Sequence, residues 1–218
     1  MAGSGQDVLI IACGALAHEI TALKRANGWT HVDVKCLPAE LHNRPERIPA
    51  AVRALIQSSR CHYRSLFVAY ADCGTGGLLD AVLKEEGVER IPGAHCYEFF
   101  AGSKVFAELA EAELGTFYLT DFLLRHFDRL VIRGLGLDAH PELFSSYFGH
   151  YRKLVYLGQA ATAGAIEEGR AIAARMGLVY EYRATGYGTL ETSLRSAAQR
   201  GGTGGRGIQH EKAVVWRR

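Results

Sequence analysis

The sequence lacks a long apolar run, a strong charge imbalance and closely paired cysteines, and each absence excludes a class of protein. No apolar run approaches the roughly 18–20 residues of a membrane-spanning helix. The 25 Lys and Arg residues nearly balance the 23 Asp and Glu residues, and a net charge of +2 is too small to indicate nucleic-acid binding. No CxxC pair occurs, so the pattern of a zinc finger is missing.

The N-terminal segment MAGSGQDVLIIACG has no basic region, and its apolar run is typical of a strand rather than of a secretory signal. We therefore expect a cytoplasmic protein without membrane or nucleic-acid partners. Structural disulfides are rare in that compartment. The five cysteines are expected to be small buried residues, reactive thiolates or metal ligands.

The chain does contain an alternation of short apolar strands and amphipathic helices over 218 residues, 48% of them hydrophobic. Strands are predicted at DVLIIACG, HVDVKCLP, SLFVAYADCG, VERIPG, KLVYLGQ and LVYEYRATG. Helices are predicted between them, including residues 96–111, LTDFLLRHFDRL with Thr120 or its neighbour as cap, and a closing helix at GTLETSLRSAAQ. The pattern predicts an α/β fold, with a mainly parallel, doubly wound sheet covered by helices on both faces, in one domain or two fused lobes. Residues 1–198 are assigned to a single α/β domain, and the Gly-rich, basic tail 199–218 is expected to be disordered.

Three cysteines follow predicted strands: Cys13 the first, Cys73 the third and Cys96 the fourth. In open α/β sheets ligands bind beyond the carboxyl ends of the strands, so these cysteines are expected at one functional edge. Three thiolates from separate loops can hold zinc with an open position, or a [4Fe-4S] cluster with one iron free. The alternative is that each is a small residue under a tight turn. Cys36, inside a strand, and Cys61, in a loop, are interpreted as structural or incidental.

The block YADCGTGG at residues 70–77 joins one of these cysteines to a glycine-rich loop. The loop is predicted to turn successive N–H groups toward an anion through Gly74, Thr75, Gly76 and Gly77. It matches neither a Walker loop nor GxGxxG, and a tight turn is the alternative. Asp72 at its start is a candidate catalytic residue.

Three more residues are candidates for acid–base chemistry at the same edge. Glu19 in the first helix and Glu98 beside the last cysteine are candidate proton donors or acceptors. His95, adjacent to Cys96, is a candidate base or fourth metal ligand. The alternatives are a solvated Glu19, a Glu98 that complements a helix dipole, and a partly buried His95 at a helix start.

The loop LPAELHNRPERIP supplies the polar residues His42, Asn43 and Arg44. Arg44 is suited to clamp a carboxylate or phosphate, and a capped surface loop is the alternative. Together with Tyr97 as a further ligand contact, these residues predict a small-molecule substrate that is anionic.

The blocks ACG, LHNRPE, YADCGTGG, HCYEFFAG, GTFYLTDFL, GLDAHPEL and YFGHYRKLVYL occur in this order, and the set resembles the family catalogued as domain of unknown function 1638. The resemblance runs from Val8 to Tyr187. It implies occurrence in bacteria and methanogenic archaea, near corrinoid-dependent methyltransferases for methylated amines, and hence a role close to methyl-group transfer or corrinoid maintenance. It also implies that the recurring cysteines are those at positions 13, 73 and 96.

The residues and the resemblance together favour a cytoplasmic metalloprotein enzyme with zinc or a [4Fe-4S] cluster, acting as a methyltransferase, or as a lyase or desulfidase-like enzyme. One alternative is a non-enzymatic binding or chaperone module for a corrinoid methyltransferase. Another is an enzyme with Cys73 as nucleophile and His95 as base, which requires these side chains to lie within hydrogen-bond reach.

Overall fold

Two parallel β-sheets form the framework of the protein in a computed structural model that describes residues 7–202. The first sheet has the order β2-β1-β3-β4 and comprises β1 (Val8–Cys13), β2 (Val32–Leu37), β3 (Ser65–Ala69) and β4 (Glu89–Arg90). The second has the order β5-β6-β7 and comprises β5 (Thr116–Thr120), β6 (Lys153–Gly158) and β7 (Val179–Ala184). The predicted α/β class is confirmed, and the strands are divided between two lobes.

Helices connect the strands in both lobes. They are α1 (Ala17–Ala26), α2 (Ile48–Ser59), α3 (Leu78–Glu86), α4 (Cys96–Ala101), α5 (Ser103–Ala112), α6 (Asp121–Arg125), α7 (Phe144–Phe148), α8 (Ala163–Met176) and α9 (Gly188–Gly202). Short 3₁₀ segments precede α1, α2 and α7, and a π-helical segment, Asp128–Arg133, follows α6. No helix in residues 7–202 is both long and apolar enough to cross a membrane.

The first lobe forms around β1 because every residue of VLIIAC is buried. A strand buried on both faces is a continuous apolar run, as expected for the centre of a parallel sheet. Val8 pairs with Val32 of β2 on one side and Ser65 of β3 on the other. The strand order reverses beside β1, and the carboxyl ends of β1 and β3 therefore flank a topological switch point, where α/β proteins bind their ligands.

Three segments differ from the sequence prediction. The helix predicted at LTDFLLRHFDRL is the short helix α6 followed by the π-helical segment. The predicted helix 96–111 is two helices, because the chain turns at Gly102 with φ +79°. Thr116–Thr120 is a strand that the prediction missed, although its Thr, Phe and Tyr residues favour β-structure. Thr120 does cap the following helix, accepting a hydrogen bond from the Leu123 N–H at 3.2 Å.

The closing helix α9 returns from the second lobe to the first. Leu190 and Leu194 are fully buried in the core around β1. The helix continues to Gly202, four residues beyond the predicted domain end at 198. The rest of the predicted disordered tail, 203–218, lies outside the described residues. The chain thus crosses between the lobes twice, which ties them together.

Candidate functional site

Cys13 ends the central strand of the first sheet and is 2% exposed. Its sulfur accepts a hydrogen bond from the Ala15 N–H at 3.3 Å, so the thiol caps the 3₁₀ turn that leads into α1. A Cβ on Gly14 would lie 2.9 Å from the Leu37 carbonyl oxygen. The turns after β1 and β2 therefore pack directly against each other beside the thiol.

Cys73 lies four residues beyond β3, in a turn rather than at the strand end itself. Its φ is +51°, the only positive value for a residue other than glycine in the described chain. Left-handed backbone is unfavourable for side chains with a Cβ, and such strain concentrates at functional sites. The Cys73 N–H donates to the Ala94 carbonyl at 2.9 Å, which joins this turn to the loop that carries Cys96.

Cys96 is the first residue of α4, and its thiol lies close to that of Cys73. Burial raises the pKa of both thiols, and the Cys96 backbone N–H acts on both sulfurs and offsets part of that rise. An N–H group that acts on both sulfurs indicates that they are neighbours. The structure thus brings Cys73 and Cys96 to the same point at the edge of the first sheet.

Burial raises the pKa of Cys13 to about 12 and that of Cys73 to about 11, and it raises the pKa of Cys96 well above its usual range. Charge repulsion is a further cause, since a thiolate at Cys73 raises the pKa of the other two. The three sulfurs are thus near enough for their charges to interact, and all three are protonated at neutral pH.

The donor set at this point has the chemistry of a thiophilic metal site. Three thiols from three separate loops are the ligands that zinc and iron–sulfur clusters use. Within residues 7–202, however, no three His, Cys, Asp or Glu side chains stand in a ready-made metal-binding arrangement. Binding here therefore requires loss of the thiol protons and closure of the sulfurs around the metal.

The hydroxyl of Tyr70 is buried beside these thiols without a hydrogen-bond partner in the described chain. Tyr70 is 1% exposed. Burial raises its pKa, and so do the charge of a Cys13 thiolate and the contact with that thiol, a contact that falls short of hydrogen-bond geometry. An unpaired buried hydroxyl costs about 1–3 kcal/mol, and a ligand that accepts its hydrogen bond would remove that cost.

His42 provides a neutral imidazole next to the thiols. Its Nδ1 lies 3.1 Å from the Ala39 carbonyl oxygen and 3.8 Å from the Cys13 sulfur. Because a carbonyl can only accept, Nδ1 donates and the lone pair of the neutral ring is on Nε2. Burial lowers the pKa of His42, which keeps the ring neutral at pH 7. The ring stacks on Tyr70, with 6.3 Å between centroids.

A cavity of about 240 Å³ adjoins Cys96 and lies between the lobes. The first lobe contributes His42, Asn43, Cys96 and Tyr97, and the second contributes Thr120 from the end of β5. Most of the remaining wall is apolar and comes from the second lobe: Phe117, Phe122, Leu130, Val131, Leu135 and Phe148. The cavity thus suits a small, largely apolar molecule in contact with a thiol and an imidazole.

Asp72 organises the glycine-rich loop. Its carboxylate accepts hydrogen bonds from the Thr75 hydroxyl at 2.6 Å and from the N–H groups of Gly76 at 3.1 Å and Gly77 at 2.9 Å. These bonds, with Thr75 foremost, lower the pKa of Asp72. Of the loop amides predicted to bind an anion, those of Gly76 and Gly77 are therefore occupied by the Asp72 carboxylate, and that of Thr75 donates to the Asp72 backbone carbonyl at 3.0 Å, so a ligand role for these three would require Asp72 to release them.

Glu19 is 2% exposed, whereas the sequence left a solvated position open. Its Oε1 lies 3.9 Å from a guanidinium nitrogen of Arg125 in the second lobe, and its Oε2 has no partner among the described residues. Burial raises the pKa of Glu19. The carboxyl group is thus held between the lobes, where burial favours its neutral form.

The remaining predicted residues lie farther from the thiols or have other partners. His95 is exposed and caps α4, with its ring 6.4 Å from that of Phe106. Glu98 accepts a hydrogen bond from the Ala94 N–H at 3.0 Å, which closes the loop before α4. Arg44 is exposed and is not among the residues that line the cavity. The thiol–imidazole contact that does form joins Cys13 to His42.

Sequence reasoning missed Tyr70 and the apolar wall of the cavity. Tyr70 stands inside the block YADCGTGG, three residues before the cysteine, and a polar aromatic residue directly after a buried strand was a usable signal. The wall residues Phe122 and Leu130 are apolar residues on helical segments, which a sequence does not distinguish from ordinary core.

Fold and site together define a class: a two-lobed α/β protein with three cysteines at the carboxyl edge of its first sheet and an apolar cavity beside one of them. The chain belongs to the family described as Protein of unknown function (DUF1638), which it matches over residues 36–194. The matched range includes Cys73 and Cys96 and begins after Cys13. No match was found among curated proteins or among solved structures.

Proposed function

We propose that the protein is a metal-dependent enzyme whose centre is held by Cys13, Cys73 and Cys96. The observation that carries this proposal is the placement of three protonated thiols, Cys13 buried and Cys73 and Cys96 half-buried, at the carboxyl edge of the first sheet beside its switch point. The Tyr70 hydroxyl, which has no hydrogen-bond partner within residues 7–202, lies beside the Cys13 thiol.

The chain's own groups would divide the work as follows. The three thiols act as thiolate ligands once their protons leave. His42 is neutral and can accept a proton at Nε2 from a substrate in the cavity. The Tyr70 hydroxyl orients a group that accepts a hydrogen bond. The aromatic and aliphatic wall excludes water from the reacting atoms.

When bound, zinc or a [4Fe-4S] cluster supplies a Lewis-acidic position for a non-redox step such as methyl transfer, elimination or desulfuration. Three thiolates fit either group. Because the wall is mostly apolar and Arg44 lies outside it, we propose a small, largely uncharged substrate in place of the anionic one that the sequence suggested.

We further place the enzyme in the cytoplasm, close to corrinoid-linked methyl metabolism. All five cysteines are free thiols, in keeping with a reducing compartment. The corrinoid setting rests on the family resemblance alone. A corrinoid methyltransferase is the corresponding partner protein.

Metal analysis and a visible spectrum of anaerobically purified protein test this proposal. Stoichiometric zinc without colour identifies a zinc enzyme, and iron with a brown chromophore that absorbs at about 400 nm identifies a cluster. Protein that contains neither metal, and takes up neither when supplied anaerobically, contradicts the proposal.

A second candidate is a non-enzymatic binding module for a corrinoid methyltransferase. The lack of a ready-made metal-binding arrangement in residues 7–202 favours it. In that case the cavity holds a ligand or a partner loop. Cys73→Ser would then leave metal content at background and weaken only partner binding, whereas loss of a bound metal in this variant excludes the module.

A further inference from the structure

A second, positively charged cavity of about 440 Å³ lies in the second lobe between α6, the π-helical segment and α8. Four arginines line it, against two carboxylates: Arg125, Arg129, Arg133 and Arg175, with Asp128 and Glu168. We call it the arginine cavity. It shares no lining residue with the cavity beside the thiols.

Three of the four arginines have a carboxylate partner, and the longest of these contacts is that of Arg125, whose guanidinium nitrogen lies 3.9 Å from Glu19 Oε1. Asp128 pairs with Arg175 at 2.6 Å. Arg129 pairs with Glu40 of the first lobe at 3.1 Å, with both side chains about half exposed. Exposed pairs of this kind are weak and are readily exchanged for a better anion.

Arg133 is exposed and forms neither an ion pair nor a side-chain hydrogen bond with residues 7–202. Burial lowers the pKa of His126, and the positive charges of Arg129 and Arg125 lower it further. Guanidinium groups bind phosphate oxygens in pairs, so this cluster is suited to a dianion.

An apolar cavity of about 450 Å³ adjoins the arginine cavity, because Arg175 lines both. Its other walls are Ile132, Leu137, Pro141, Phe144 and Met176. The guanidinium of Arg175 lies 5.0 Å from the Phe127 ring centroid, which fixes this side chain on an aromatic face between the two spaces. The π-helical segment places Arg133 toward one cavity and Ile132 toward the other. Such segments are frequent at functional sites.

We propose that these two cavities together bind a small, soluble phosphate monoester with an apolar or aromatic body. The phosphate lies among the guanidinium groups of Arg125, Arg129 and Arg133. The body lies against Ile132, Leu137 and Phe144. This site is separate from the thiol centre, and its occupancy does not depend on a metal there.

Isothermal titration calorimetry of the full chain with two ligands tests the proposal. The first is 1-naphthyl phosphate, and the second is inorganic phosphate, which lacks the apolar body. We expect the ester to bind at least about tenfold more tightly than phosphate. Arg133→Ala should weaken both by about tenfold, the effect of losing one charge-assisted contact. Arg170→Ala is the matched control. Arg170 is on α8 and is exposed like Arg133, but it pairs with Glu167 and lines neither cavity.

Phe144→Leu should weaken binding of the ester and leave that of phosphate unchanged. Equal affinities for ester and phosphate would overturn the apolar half of the site. An Arg170→Ala effect as large as that of Arg133→Ala, or no saturable binding, would overturn the whole proposal. Binding to phosphatidylcholine vesicles that contain phosphatidic acid, without binding of the soluble ester, would instead assign the cavities to a lipid headgroup.

Discussion

The backbone at Cys73 gives a prediction whose sign is set by one dihedral angle. With φ at +51°, this residue occupies the left-handed region, which costs a residue with a Cβ about 1–2 kcal/mol. Glycine escapes that cost but loses about 0.5–1 kcal/mol of additional chain entropy on folding. We therefore expect Cys73→Gly to be more stable than Cys73→Ala by about 1 kcal/mol. Both variants lack the sulfur, so its loss cancels in the comparison.

The same pair of substitutions at Cys13 is the control and should reverse in sign. Cys13 has φ −66° and ψ 137°, which any residue adopts, and it is buried. Glycine there adds chain entropy and loses a buried methyl group, so Cys13→Ala should be more stable than Cys13→Gly by about 1–2 kcal/mol. Urea unfolding of the metal-free variants measures all four free energies. If Cys73→Ala equals or exceeds Cys73→Gly in stability, the strain at Cys73 is refuted.

Two further predictions concern carboxylates. Because burial raises the pKa of Glu19, its folded form binds a proton more tightly, and wild-type stability should fall as pH rises above the unfolded value of about 4.3. Glu19→Gln should remove that fall. If the urea midpoints of the wild type and the variant change with pH in the same way between pH 4 and 7, the prediction for Glu19 is refuted. Hydrogen bonds lower the pKa of Asp72 in the folded protein. Its contribution to the free energy of unfolding is therefore present above the unfolded pKa of about 3.9 and is lost as pH falls through the folded pKa. Asp72→Ala should lower the free energy of unfolding by about 1 kcal/mol at pH 7, a figure reduced for the partial exposure of the side chain, and by less at pH 3. An equal cost at both pH values would show that the carboxylate charge does not hold the loop.

Much of the first lobe was predictable because its signals are local. β1 is one apolar run bounded by a cysteine and a glycine, and Gly87 ends α3 with φ +63°, as its position after a helical pattern indicates. Parallel topology alone predicted that the three cysteines follow strands at one edge of the sheet, and their joint role as ligands stays a prediction. Cys73 nevertheless lies beyond its strand, because β3 ends at Ala69 and the chain continues through a turn.

The second lobe was less predictable because its elements depend on tertiary contacts. Thr116–Thr120 is only five residues long and runs directly into a helix, so its pattern merges with the next element. The π-helical segment has no sequence signal of its own, and it forms part of both the wall beside the thiols and the arginine cavity. The division into two sheets likewise depends on pairing partners that a strand pattern does not specify.

Asp72 illustrates how a candidate catalytic residue acquires a different role in three dimensions. The sequence places an acid next to a cysteine and three glycines, which resembles a reactive loop. The structure shows that this acid accepts from Thr75 and two loop amides and so shapes the turn that carries Cys73. Its contribution to any chemistry at the thiol is therefore positional.

The most direct test of the central claim is the metal content of five single Cys→Ser variants purified anaerobically beside the wild type. Cys13, Cys73 and Cys96 lie at the carboxyl edge of the first sheet, whereas Cys36 and Cys61 are exposed and serve as controls, Cys36 being the nearer one because it is on β2 opposite Ala12. We predict one zinc ion or one cluster per chain in the wild type and in Cys36→Ser and Cys61→Ser, and its loss in the other three variants. A wild type without metal, or metal content that depends equally on Cys36 or Cys61, would contradict the account.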